Sequence, residues 1–261
     1  MKKWKKGLQK GWPACTAAIL LLMCWEWGIR LDWISVPSYI LPMPSEIGVT
    51  FVQDFGTLME KTGNTVKRVL IGFAIGSGIG ITTAVLMHLI PFTHRLLYPY
   101  LIVSQNIPII ALAPLLAIWF GFNQAPHLII ITLVCFFPVA ISGLSGFAQT
   151  DRMMLSYMRM SGASRWQFFT KLEFPYGLPS LFSGLKISST YSVMGAVFAE
   201  WSAAGRQQGI AAYMKISQSG FQVDRVFVCF FIIVLLSLLM ISLIKGIEAV
   251  TLKWKHSEPN V

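Results

Sequence analysis

Charge is scarce in this chain of 261 residues. Only 12% of them are Asp, Glu, Lys or Arg, against 55% hydrophobic. A soluble domain of this size needs more polar surface than that. Cysteine is nearly absent too. Cys15, Cys24, Cys135 and Cys229 form no Cys-x-x-Cys pair and lie in or beside apolar runs, so they read as small buried hydrophobes rather than metal ligands or disulfide partners. No His-rich, paired-Asp or Ser-nucleophile constellation stands at helical spacing, which leaves an embedded enzyme without catalytic residues. The glycine run Gly72, Gly76, Gly78, Gly80 lacks the Lys-Ser/Thr ending of a phosphate loop. The chain therefore offers no nucleotide site, and no cofactor or metal is expected. Acids are few, giving a formal charge of +10. Nucleic acid is not the implied partner, because the densest cluster, Lys2, Lys3, Lys5, Lys6 and Lys10, stands beside the first apolar run. There it acts as an orientation signal and a contact for anionic lipid.

What is abundant is long apolar sequence. A helix crosses the hydrocarbon core in about 20 residues. Backbone groups in lipid must be satisfied within the segment, so the runs are predicted helices. By that length rule the spans are Ala14–Leu31, Val66–Ile90, Leu101–Phe120, His127–Ser145, a fifth from Pro179 to Ala204, and Asp224–Ile247. The expectation is an all-α, polytopic protein of about six transmembrane helices. Residues 1–13 form a basic cytoplasmic N-terminus, 14–250 a single transmembrane domain and 251–261 a cytoplasmic tail. Trp25, Glu26 and Trp27, with no Ala-x-Ala-like site, favour a retained signal anchor over a cleaved peptide. Glu26 is placed at the interface beside Arg30, with Ser45 as a helix cap in a surface segment. With the N-terminal lysines inside, six spans return the C-terminus to the same side.

Two spans carry unusual polarity. The third holds Gln105 and Asn106 just before Pro108, features that turn toward protein or a watery pathway. The fifth holds Ser183, Ser188, Ser189, Thr190, Tyr191 and Ser192, then Glu200 and Trp201. Serines can bond their own helix backbone. For Glu200 two readings stand, a pathway residue and an interfacial acid. If a flat aromatic solute passes, Trp201 and Tyr191 can stack on it while Glu200 accepts from its amino groups. In Gly72, Gly76 and Gly80 the small-xxx-small spacing predicts close approach of another helix.

Residues 151–175, DRMMLSYMRMSGASRWQFFTKLEFP, are a basic island between two apolar runs. Arg152, Arg159, Arg165 and Lys171 alternate with Tyr157, Trp166, Phe168 and Phe169. Gly162 weakens helix in the middle, and Pro175 is expected to end any helix begun before it. An ordinary cytoplasmic loop and a helical segment docking a soluble partner both fit this pattern.

Gly162-Ala163-Ser164, Trp166, Leu172, Phe174-Pro175 and Leu178-Pro179 resemble the "EAA" loop of permease subunits of bacterial ABC importers. Ser156-Tyr157-Met158 stands where that family has its Glu-Ala-Ala triplet. The resemblance runs from Leu41-Pro42 to the last span. In Ser183–Ile187, Tyr191–Val197 and Glu200-Trp201 it is similar to permeases of thiamin-precursor importers, near the sulfonate, taurine and nitrate branch. It implies the MetI-like fold of type I importers, in a bacterial cell membrane. It implies a homodimer with two ATPase subunits docked on the loop through Ser156, Arg159, Gly162, Ala163, Ser164, Trp166, Phe169 and Pro175. An extracytoplasmic binding protein would deliver the solute, a thiamin pyrimidine precursor, past Gln105, Asn106, Ser188, Tyr191, Glu200 and Trp201. Riboflavin or an aliphatic sulfonate, taurine or nitrate are alternative solutes. An ion-coupled carrier is the alternative from another class, and it lacks paired mid-membrane ionisable groups and inverted repeats.

Overall fold

The computed structural model describes residues 16–17, 19–31, 37, 40–121, 123–202 and 209–253, without the side chain of Arg152. The N-terminal lysine cluster, Cys15, Trp33, Arg206 and the tail from Trp254 lie outside the described residues. The described residues form helices and no strand. Helix α1 covers 19–30. There follow α2 (Pro44–Gln53), α3 (Phe55–Leu89), α4 (Pro91–Ser104), α5 (Ile109–Phe120), α6 (Ala125–Ala148), α7 (Arg152–Met160), α8 (Arg165–Phe168), a π turn (Phe169–Glu173), α9 (Phe174–Ser202), α10 (Ile210–Ser219) and α11 (Val223–Thr251).

Among the described residues α3, α6 and α11 are each long and apolar enough to cross a membrane. A fourth crossing is available if α4 and α5 count as one broken span, bent by 100°. The first expected span is only partly described. The 29 residues of α9 are long enough, and its serines dilute its apolar character.

Helix α4 fills Pro91–Ser104, and the chain breaks after it at Gln105, Asn106 and Pro108, the polar and proline residues that marked the third span as unusual. Pro108 supplies no N–H and becomes the N-cap of α5. Just before it, the Ser104 hydroxyl donates to Tyr100 O at 2.6 Å and the Asn106 amide to Ile102 O at 2.7 Å. These side chains compete with the helix ladder where the proline interrupts it.

The chain divides into two compact units. The smaller comprises 1–60 and 213–231. Within it Arg30 Nε lies 2.7 Å from Glu26 Oε1, so the two residues expected side by side are paired. The same carboxylate accepts from the Ser45 hydroxyl at 2.8 Å and the Ser45 N–H at 3.1 Å. Ser45 is therefore not a cap. Met43 holds that position, Pro44 opens α2, and Glu46 reaches back to Met43 N at 3.0 Å. Asp224 lies in the first turn of α11 and accepts from the Thr50 hydroxyl at 2.7 Å. Arg225 Nε meets Asp54 Oδ2 at 2.6 Å.

The larger unit comprises 61–212 and 232–261. Its main core gathers Val69, Ile131, Val134, Cys135, Val193 and Ala196 with Leu236 and Met240. The small residues on α3 allow this packing. A Cβ on Gly72 would fall 2.5 Å from Ile131, one on Gly76 2.5 Å from Thr132 O, and one on Gly80 2.8 Å from Phe136 O. The α3 backbone thus lies directly on α6, as the glycine spacing predicts. Helices α6 and α9 approach equally closely, and a Cβ on Gly184 would meet Pro138 O at 2.7 Å. Of the cysteines, Cys135 and Cys229 are buried as expected, whereas Cys24 is exposed.

Candidate functional site

The 151–175 insert is closed by caps at each of its helices. Asp151 caps α7 by accepting from Met153 N at 2.7 Å. At the far end Gly162 takes a left-handed φ of +74°. Its N–H bonds Arg159 O at 3.1 Å, and Ala163 N bonds Met158 O at 3.3 Å. This paired closure satisfies carbonyls that the end of α7 leaves open, and a left-handed residue makes it possible. Ser164 then starts α8. Its Oγ accepts from Gln167 N at 3.3 Å, and Gln167 Oε1 accepts from Ser164 N at 2.8 Å.

The structure corrects the expectation for Pro175. It does not end a helix. The π turn at 169–173, in which Phe174 N bonds Phe169 O, runs straight into α9 with Pro175 in its first turn. A wider turn accommodates a residue that has no N–H to give.

One face of the insert is anchored. Phe169 is buried, with its ring 5.5 Å from Phe147, 5.7 Å from Phe174 and 5.8 Å from Trp166. His88 Nε2 lies 2.9 Å from Glu173 Oε2, and Arg165 Nη2 donates to His88 O at 3.3 Å. The other face is bare. Met153 is 79% exposed, Tyr157 69% and Met160 81%, with Trp166 also exposed. Ser156 and Arg159 lie on exposed positions of α7, and Ser164 is exposed while Ala163 is half-buried. Large flexible thioethers and aromatics on a rigid, capped frame suit a protein partner.

The residues read from the third and fifth spans separate. Gln105 and Tyr191 line one cavity of about 360 Å³, with Ile109, Val134, Phe137 and Ile187. Asn106 is exposed and bonds its own helix, away from this lining. Ser188 is fully buried and donates to Cys135 O at 3.0 Å, joining α9 to α6. Ser189 and Ser192 bond carbonyls of their own helix at 2.8 and 2.7 Å, as serines in a span were expected to do. Trp201 is half-buried at the end of α9.

Glu200 is neither on that cavity nor at a wet interface. It is 2% exposed. Its Oε1 accepts from the Thr65 hydroxyl at 2.7 Å and from Arg68 Nη1 at 3.2 Å. Its Oε2 accepts from Ala211 N at 3.0 Å, and Ile210 N donates to Thr65 Oγ1 at 3.0 Å. A Cβ on Gly209 would fall onto the carboxyl, so only glycine lets the chain pass there. The carboxylate ties the start of α10 to α3 and α9. Sequence reasoning missed Thr65 and Arg68. The available signal was an arginine within an apolar run, which requires an acid from elsewhere. Lys186 on α9 was missed likewise; its Nζ sits 3.0 Å from both carboxylate oxygens of Glu248 on α11.

Comparison with known proteins bears on both features. Residues 76–251 match the family described as binding-protein-dependent transport system inner membrane component. The chain is 31% identical to the formylaminopyrimidine transport permease protein ThiX of Halalkalibacterium halodurans, over 92% of this chain and 94% of that one. It is 30% identical to the riboflavin transport system permease protein RibX of Chloroflexus aurantiacus, over 94% and 92%. It is 28% identical to the putative aliphatic sulfonates transport permease protein SsuC of Bacillus subtilis, over 97% and 89%.

Proposed function

The chain belongs to the family of binding-protein-dependent transport system inner membrane components, a multi-pass permease component of an ABC importer, and from that premise we propose that its solute is a pyrimidine precursor of thiamin. Such permeases are transport components that work with an ATPase and a binding protein. In this reading two ATPase subunits supply the energy, this chain holds no nucleotide site of its own, and a binding protein delivers solute from outside. Two copies of the chain form the path, and both termini face the cytoplasm.

The observation that carries the substrate reading is the lining of the 360 Å³ cavity. It offers a phenol from Tyr191, an amide from Gln105 and otherwise mostly apolar walls, with no cation among the described lining residues. A sulfonate calls for Arg or Lys donors. A flat, uncharged heteroaromatic ring suits a stacking phenol and an amide that both donates and accepts. The name of the formylaminopyrimidine relative supports the same choice. The insert at 151–175 is the handle: Ser156, Arg159, Trp166 and the exposed methionines meet the ATPase, while Phe169 and the π turn before Pro175 pass its motion into α9. Coupling of this kind needs a two-state element touched by both partners.

The test is uptake into proteoliposomes holding the permease, its ATPase and its binding protein. Labelled formylaminopyrimidine should enter only with ATP inside the cytoplasmic compartment, unaffected by collapse of ion gradients. Saturable uptake of taurine or riboflavin in its place would overturn the substrate. Uptake driven by an ion gradient without ATP would overturn the importer class.

A further inference from the structure

A second cavity, of about 310 Å³, opens where the end of α3 meets the start of α4 and the end of α6. His88, His94 and Arg95 line it, over apolar walls from Met87, Leu144 and Ala148. None of the described lining residues is acidic. The His94 ring is held by stacking on Tyr98, 5.0 Å away and tilted by only 12°. His88 is held by Glu173, and Arg165 reaches the carbonyl of His88. Among the described residues Arg95 has no carboxylate partner, and it is exposed. The helix that supplies His94 and Arg95 also exposes Phe92 and Leu96.

We propose that this cavity binds a phosphate-bearing anion, and that its occupant is the headgroup of an anionic phospholipid. Four features carry this. With His88 Nε2 turned to Glu173, the His94 imidazole and the Arg95 guanidinium are the donors suited to phosphate oxygens. Their charge is positive or neutral, with the one nearby acid already engaged by His88. The site sits between the ends of membrane-crossing helices, where basic pockets meet lipid headgroups. Phe92 and Leu96 give the acyl chains an apolar surface that a free phosphate ion would not use.

The full-length chain is reconstituted in nanodiscs of phosphatidylcholine with or without phosphatidylglycerol, and retained lipid is read by native mass spectrometry. Phosphatidylglycerol should stay bound to the wild type. Arg95→Glu should lower its affinity by about five-fold or more, as loss of one basic side chain at a membrane surface implies. Arg95→Lys should keep most of it, and Lys253→Glu, a charge change at the end of α11, should leave it unchanged. Equal retention by wild type and Arg95→Glu would overturn the proposal. So would equal loss in Arg95→Glu and Lys253→Glu, which would mark a diffuse charge effect. Inorganic phosphate is added to phosphatidylcholine discs as the second arm. Arg95-dependent phosphate binding without retained phosphatidylglycerol would overturn the lipid as occupant. The readout needs no ATPase, so its failure would leave the proposed transport function standing.

Discussion

Glu200→Ala is expected to be among the most damaging single changes in the larger unit. The carboxylate has three donors on it, from Thr65, Arg68 and Ala211. Arg68 is itself only 5% exposed, so the variant leaves a buried guanidinium without this partner. Breaking a buried pair from one side costs about 3–5 kcal/mol. For a chain of this size that is a fall in Tm of about 6–20 °C, at about 2–4 °C per kcal/mol. Glu200→Gln preserves shape but turns an amide N–H₂ toward one of the donors, for about 1–3 kcal/mol. Arg68→Met combined with Glu200→Leu removes both charges and should recover much of the loss. The assay is thermal unfolding of the reconstituted permease, run as a double-mutant cycle. For the double variant to recover, the coupling between the two positions must exceed the single loss of about 3 kcal/mol or more, at or above the upper end of the usual range. Strictly additive losses, or singles within about 0.5 kcal/mol of wild type, would refute the reasoning and return Glu200 to the solute path.

Gly76→Ala should lower stability by about 1–3 kcal/mol, because its Cβ would strike Thr132 O. Gly78→Ala, in the same helix with nothing within 4 Å, should instead be neutral or stabilising by about 0.5–1 kcal/mol; both are read in the same melts. Tyr191→Ala should raise the half-saturating solute concentration at unchanged Tm, and unchanged uptake kinetics would remove Tyr191 from the path. Gly162→Val places a β-branched residue at φ +74°, costing about 1–2 kcal/mol locally and distorting the closure of α7. Co-purification of the ATPase should fall while membrane insertion stays normal.

Much of the fold was legible because long apolar runs admit few structures in lipid. The runs near 66–90, 127–145 and 224–247 became α3, α6 and α11 within a few residues at most ends. Glycine spacing foretold that α3 would lie on another helix, though not that the helix would be α6. Local chemistry was harder to place. Gln105, Asn106 and Pro108 signalled an interruption, but its size, a 100° bend, depends on what α4 and α5 pack against. Pro175 was misread because a π turn is a property of the whole segment rather than of one residue. The side-chain partners of Glu200, Thr65 and Arg68, lie 135 and 132 residues before it, beyond any periodicity. A single sequence shows that a buried acid needs a cation, not which cation it will find.

The most direct measurement of the central claim is the sidedness of the insert. Met153 is bare, so Met153→Cys in a chain without its native cysteines gives a reporter thiol on α7. A membrane-impermeant maleimide should label it in inside-out vesicles alone, and added ATPase subunit should protect it. Labelling in right-side-out vesicles, or full labelling with the ATPase present, would contradict the account.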